Sequence, residues 1–419
     1  MRILSPKFLI LLAFLQVCIA YLTNMETTAT QYSISLNYLP LLLWFLAFVF
    51  VALGAELSDL IFRYKGGLAQ ANYKFKLLIY NININKLNIL YLFSFCGLIT
   101  TSLLIVSDAG VIPIVAIISQ SKGIGELNKA QADSLPGLYG LHSLMTFLME
   151  YIIGLLLFKS IFDLNNKTNV RILWGGLIVF IATIIGGKRQ DLAIFICFIS
   201  VALWCSIKIN GGLITRHHKK ILRRFFGVVL LSLAAIAYIS FSRLDAAGYG
   251  DETVNEPLRY ISMPLINLES LSETAGWVGL EPDIVKPLDF LLPAKIGVER
   301  GVATIPVPEP TSPSGFFSMA YLYWGGIVGL IIYSFFVGIF SGYIYNKAAS
   351  SPMYLLFYGY IVWSLLMSHT YNHFLTITFL PLQFLLLVAV NYFIFNRSSG
   401  RAIDQIVLSR VSAGPGKSI

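Results

Sequence analysis

Lys188 and Arg189 stand side by side in Gly186-Gly187-Lys188-Arg189-Gln190-Asp191, a short polar turn between two apolar stretches. A guanidinium makes two-point contact with phosphate oxygens and an ammonium adds a mobile point charge, so the pair suits a diphosphate. Asp191 places a carboxylate in the same turn, and the two glycines let the backbone reverse tightly. Ionisable groups at the mouth of an apolar bundle are costly and commonly face a polar cavity or pathway. Both cations could also snorkel to lipid headgroups. A second set, Arg243, Arg259, Lys286, Lys295 and Arg300, lies in one long polar stretch from Arg243 to Gly315. Arg243 closes an apolar stretch, and Arg259-Tyr260 precedes the apolar run Ile261 to Leu268. Several of these could converge with Arg189 on one anion, although Asp245, Glu256 and Glu299 are available to pair with them. His369 and His373 flank a third polar turn, four residues apart, a spacing that on a helix puts both on one face. A neutral imidazole there could serve as a general base, or simply cap a helix at the interface. With no third ligand following and no adjacent Glu, the pair does not indicate a metal site.

The elements that must position these residues are hydrocarbon-seeking. Hydrophobic residues make up 57% of the 419-residue chain and charged residues only 12%, and mean hydropathy is +0.75, far from a soluble domain. About 20 apolar residues cross a bilayer as a helix, and such stretches fall near 8–22, 36–56, 87–107, 140–158, 170–187, 192–208, 225–242, 319–345, 353–369 and 374–395. The expected fold is therefore an all-α polytopic integral membrane protein of about ten transmembrane helices with one large extramembrane loop. The first stretch resembles a signal peptide, with Arg2 and Lys7 before it and Cys18-Ile19-Ala20 as a cleavage site, but is expected to remain as a span. The expected organisation is an N-terminal bundle over 1–242, the loop over 243–315, a C-terminal bundle over 316–397 and a tail over 398–419.

Charge sets the orientation. Placing the N-terminus in the cytoplasm puts 21 of the 30 basic residues on the cytoplasmic side and 16 of the 21 acids on the other. Retention of Lys and Arg in the cytoplasm then predicts both termini inside and the loops 108–139, 186–191, 243–315 and 369–373 outside. The basic run Arg216 to Arg224 becomes a cytoplasmic, lipid-facing segment, and the net charge of +9 reflects topology rather than nucleic-acid binding. Nine prolines between Pro257 and Pro313 argue against one long helix or a central strand in the large loop. Short surface helices near 256–274 and 285–292, and an extended cover from Val302 to Ser314, are expected instead. Cys18, Cys96, Cys197 and Cys205 all lie in apolar stretches, so neither a disulfide nor a metal site is expected from them. The chain carries no P-loop, no dinucleotide fingerprint and no Gly-x-Ser-x-Gly. Energy for any reaction must then come from the substrate or a gradient. Glu150 is the one charge placed clearly within a span, fewer than a secondary transporter usually shows.

Taken together, many spans with little soluble mass, the hairpin Gly-Gly-Lys-Arg-Gln-Asp, a large outer loop holding Arg259-Tyr260-Ile261-Ser262, and the aromatic-and-glycine return Gly315 to Gly329 form a pattern. It resembles the bacterial oligosaccharide repeat-unit polymerases, the Wzy-type O-antigen polymerases. The arginine–x10–glycine loop pattern of some members does not occur at the outer-face arginines: with ten residues between, Arg189, Arg243, Arg259 and Arg300 are followed by Ser200, Val254, Ser270 and Thr311, not by glycines. The resemblance implies a GT-C-like integral-membrane glycosyltransferase of the bacterial inner membrane, active on its periplasmic face without metal, nucleotide or other cofactor. It implies a donor glycan on undecaprenyl diphosphate, a lipid-linked repeat unit as acceptor, contact with membrane lipids, a chain-length regulator as partner, and no nucleic acid. On that basis Arg189, Asp191, His369 and His373 are the candidate catalytic residues. Lys188, Arg243, Arg259, Tyr260, Arg300 and Tyr323 are the candidates for holding diphosphate and glycan, with Tyr249, Trp277, Tyr321 and Trp324 available to stack on sugars or to form an interfacial belt. An O-antigen ligase, or a flippase or secondary transporter of lipid-linked glycans, are the alternatives.

Overall fold

A backbone buried in hydrocarbon must satisfy its own amides, and a helix does so within one segment. Accordingly, the apolar stretches of this chain are helical. The computed structural model describes residues 4–32, 39–62, 82–109, 138–162, 166–185, 189–209, 326–348, 352–368 and 380–394, with isolated helical positions between Lys219 and Leu230. The elements are α1 (Pro6–Tyr32), α2 (Leu39–Phe62), α3 (Ile84–Ala109), α4 (Leu138–Phe162), α5 (Asn166–Ile185), α6 (Arg189–Ile209), α7 (Gly326–Ala348), α8 (Pro352–Leu366) and α9 (Leu380–Ile394). Among the described residues there is no strand.

Among the described residues, four segments are long and apolar enough to cross a membrane, Leu41–Phe62, Ile84–Ser107, Gly140–Leu157 and Gly326–Ala348. Shorter apolar helices cover Pro6–Leu22, Val170–Thr183, Ala193–Cys205, Phe357–Leu366 and Leu385–Ile394. The protein is thus a helical membrane protein. Each expected span except 225–242 overlaps one of the helices α1 to α9, and most of 225–242 lies outside the described residues. Helix α1 continues ten residues beyond the apolar stretch that predicts it, through Thr23 to Tyr32. The loop helices expected near 256–274 and 285–292, and the cover over 302–314, lie outside the described residues.

The chain divides into two units, Met1–Arg63, Val254–Asn346 and Ile361–Phe384 in one, and Tyr64–Thr253, Lys347–Tyr360 and Leu385–Ile419 in the other. In the first unit, α1 packs along α2, where Phe14 stacks on Phe48 with centroids 5.5 Å apart. Helices α2 and α7 meet through glycine. A Cβ built on Gly54 would strike the backbone of Phe335 and Ile339, and one on Gly338 the backbone of Val51 and Ala55. Gly342 stands one turn further along, where a Cβ would lie 2.8 Å from that of Ser58. Such small-residue faces let two backbones approach, which is how helices attract one another where no hydrophobic driving force separates them from lipid. At one end of this contact Lys7 pairs with Glu56 and with Asp59, and Asn346 Nδ2 donates to Asp59 at 2.9 Å. Three helices are tied there by one charged cluster.

In the second unit, α4 is the central helix and packs against α3, α5 and α6. Of its Gly140–Leu157 window 83% is buried, against 33% for the corresponding window of α3. Gly175 of α5 admits Ile153 and Met149 of α4, and Phe147 of α4 meets Phe198 of α6 with centroids 5.8 Å apart. Gly359 of α8 faces Phe198. Lys86 of α3 lies over the Phe393 ring of α9, 5.1 Å from its centroid, and donates to the Phe393 carbonyl. Deeper in the unit, Asn391 of α9 donates to the Tyr151 hydroxyl of α4 and to the Leu387 carbonyl.

Candidate functional site

The hairpin singled out by its residue types is built by α5 and α6, which pack on each other and on α4. Helix α5 is described to Ile185 and α6 from Arg189. Arg189 and Asp191 therefore occupy the first turn of α6. The backbone there carries amide donors without intrahelical partners and the positive end of the helix dipole. A carboxylate at Asp191 is favoured by that end. A cation at Arg189 is not, since it adds positive charge to a positive terminus. Lys188 lies outside the described residues, as do Arg243, Arg259, Tyr260, Arg300, Tyr323, His369 and His373. Of the candidates, then, only Arg189 and Asp191 are located, on one turn of one helix.

Where α3, α4 and α5 meet, the structure assembles a polar cluster. His142, in the second turn of α4, is 2% exposed. Its Nδ1 lies 2.9 Å from Thr101 Oγ1 of α3, and its Nε2 lies 3.0 Å from the Ala182 carbonyl of α5. A carbonyl only accepts, so Nε2 carries a proton. A neutral ring then accepts at Nδ1 from the Thr101 hydroxyl. That hydroxyl is also 2.8 Å from the Gly97 carbonyl, and its single proton serves one acceptor at a time. In a charged ring Nδ1–H donates to Thr101, which turns its own proton to Gly97. Either state keeps both contacts of the imidazole. Thr146 donates to the His142 carbonyl at 2.9 Å and Thr183 to the Val179 carbonyl at 2.8 Å, each along its own helix. Ser102 and Thr183 are also buried, and Glu150, two turns along α4, is 2% exposed. Polar groups withdrawn from both water and lipid are costly unless partners satisfy them, and among the described residues Ser102 Oγ has no hydrogen-bond partner.

Residue-type reasoning passed over His142 because an uncharged ring does not register in a count of charges within spans. A usable signal was present: Thr101 and Ser102, His142 and Thr146, and Thr183 fall at matching depths in three spans of alternating direction. Among the described residues no group of three His, Cys, Asp or Glu side chains could hold a metal ion. No family model, curated protein or solved structure matches this chain.

Proposed function

We propose that this protein is an integral-membrane polymerase of lipid-linked oligosaccharide repeat units, acting in the bacterial inner membrane with both termini cytoplasmic. The observation that carries this is Arg189, next in sequence to Lys188 and located at the N-terminal turn of a helix packed in an apolar bundle. Two cations and a helix N-terminus form a preorganised counter-charge for a departing diphosphate. The distribution of Lys and Arg supports placing that turn, and the loop 243–315, on the periplasmic side. Neither face carries a nucleotide-binding motif, which favours a substrate that brings its own leaving group.

In the proposed reaction a hydroxyl oxygen of the acceptor repeat unit attacks the anomeric carbon of the donor glycan. The bond from that carbon to the diphosphate oxygen breaks, and undecaprenyl diphosphate leaves with the bonding electron pair. The hydroxyl proton passes to a base, for which His369 and His373 are the candidates. Lys188 and Arg189 stabilise the charge that grows on the leaving group. A second reading, transport of the lipid-linked unit, is favoured by one observation: α4 buries both His142 and Glu150.

One experiment separates them. Purified protein given undecaprenyl-diphosphate-linked repeat units, without nucleotide or ion gradient, should lengthen them. Arg189→Ala should slow extension on the order of a hundredfold, with normal insertion and expression, and Arg189→Lys should rescue it only in part because two-point contact is lost. Wild-type extension by Arg189→Ala would remove this residue from the reaction. Movement of the substrate across vesicles with no extension by the folded wild-type protein would establish transport instead.

A further inference from the structure

We propose that the seam between α3 and α5, at the level of Asn88 and Arg171, is a binding site for an anionic phospholipid whose phosphate is held by Arg171. Which leaflet supplies the lipid rests on the proposed orientation of the chain; the site itself does not.

Helices α3 and α5 pack on each other and run in the same direction. Tyr91 of α3 donates its hydroxyl to the Arg171 carbonyl of α5 at 3.1 Å. Further along both helices, His142 bridges Thr101 of α3 and Ala182 of α5. Asn88 lies one turn of α3 before Tyr91. Side chains lean toward the start of their own helix, so Arg171 leans from the level of Tyr91 toward that of Asn88. Both residues are half-buried. Asn88 Oδ1 is a buried acceptor with no hydrogen-bond partner. Among the described residues no carboxylate meets Arg171, both ion pairs there being those of Lys7. An unmet acceptor and an unpaired guanidinium beside hydrocarbon are costly. A ligand that brings an anion and a hydrogen-bond donor relieves both. The phosphodiester and glycerol hydroxyls of phosphatidylglycerol supply that pair: the guanidinium takes two phosphate oxygens, and a headgroup hydroxyl donates to Asn88.

The same faces continue as hydrocarbon. Trp174 and Ile181 follow Arg171 by about one and three turns of α5, and Leu92 and Ile99 follow Asn88 by about one and three turns of α3. All four are exposed. Beside them Tyr91 stacks on Phe95 with centroids 5.8 Å apart. Polar groups at one level with two apolar tracks leading away from them match the two parts of a phospholipid. A free phosphate would use only the first. An arginine that merely snorkels to the interface needs neither the amide nor the tracks. Arg171 belongs to the basic set assigned to the cytoplasmic side, where anionic headgroups enter basic pockets between helices.

The test counts lipid. The full chain is reconstituted in vesicles of equal phosphatidylglycerol and phosphatidylcholine, extracted, washed in detergent, and its retained lipid measured by mass spectrometry. Wild type should keep phosphatidylglycerol in preference to phosphatidylcholine. Arg171→Gln should lower retained phosphatidylglycerol on the order of tenfold, as for loss of one charge-assisted contact. Asn88→Leu should lower it about threefold. Arg171→Lys should fall between Arg171→Gln and wild type, because it keeps the charge and loses the two-point contact; it carries the test if thermal melting shows that the glutamine variant has not folded. Lys159→Gln removes the same charge from α4 and should stay within about twofold of wild type. Equal losses in Arg171→Gln and Lys159→Gln would show general attraction to charge and overturn the proposal. So would wild-type retention by folded Arg171→Gln or Arg171→Lys. Release of the lipid by inorganic phosphate alone would overturn it too, as the mark of a plain anion site. A reporter fused within 398–419 reads orientation independently: if it stands outside while retention still depends on Arg171, the lipid site holds and the proposed orientation fails.

Discussion

Helices α2 and α7 of the first unit meet backbone to backbone, whereas α4 of the second meets its neighbours through side chains that include His142, Thr101 and Tyr151. The first contact gains only dispersion from closeness, and its ionisable residues, Lys7, Glu56 and Asp59, stay at one end. The second draws ionisable and hydroxyl groups into the interior of a helix that is 83% buried over its central window. Glycine contacts are chemically inert and exacting in shape. Buried polar contacts are costly unless satisfied, and their presence inside a membrane bundle is the ordinary mark of a site. The buried side chains of His142 and Glu150 belong to the second unit, and the most shape-sensitive of the described contacts to the first.

Substitution at the glycine contact should have the largest effect on stability. Gly338→Val puts two methyl groups where Val51 and Ala55 already stand, and backbone cannot swing aside as a flexible side chain does. The expected loss is about 3 kcal/mol, read from unfolding of the detergent-solubilised protein by tryptophan fluorescence. Gly227→Ala is the control, because a Cβ there has nothing within 4 Å. If Gly338→Val melts like the control, α2 and α7 are not in backbone contact.

Tyr151→Phe probes the second unit. It removes the hydroxyl that accepts from Asn391 but leaves Asn391 its bond to the Leu387 carbonyl. Membrane hydrogen bonds average well under the strength often assumed, so the expected cost is about 1 kcal/mol by the same measurement. A loss as large as that of Gly338→Val would erase the contrast between the two modes of packing.

The smallest effect is expected at the charged end of the first unit. Lys7→Met breaks the pairs with Glu56 and Asp59, but Glu56 is half exposed and water screens the interaction. The change should cost no more than about 1 kcal/mol and should shrink at high salt. A salt-independent loss would show that the cluster is buried from solvent in the membrane-embedded protein.

Hydropathy made the helices legible. Stretches such as 87–107 and 140–158 appear in the structure as α3 and α4 because transfer to hydrocarbon is a sum over consecutive residues and needs no partner. The hairpin at Arg189 was legible for the same reason, as a polar interruption between two such sums, and α6 begins at that residue. Which helix lies inside was not legible. In spans apolar on every face, lipid-facing and core-facing residues are alike, so the amphipathic periodicity that reveals a soluble core is missing. Only the packed structure shows α4 surrounded by α3, α5 and α6, and Gly54 against Gly338. The contacts of His142 were hidden likewise. Its partners, Thr101 and Ala182, are 41 and 40 residues away along the chain. An imidazole acquires a carbonyl and a hydroxyl as partners only when three helices bring them to one level.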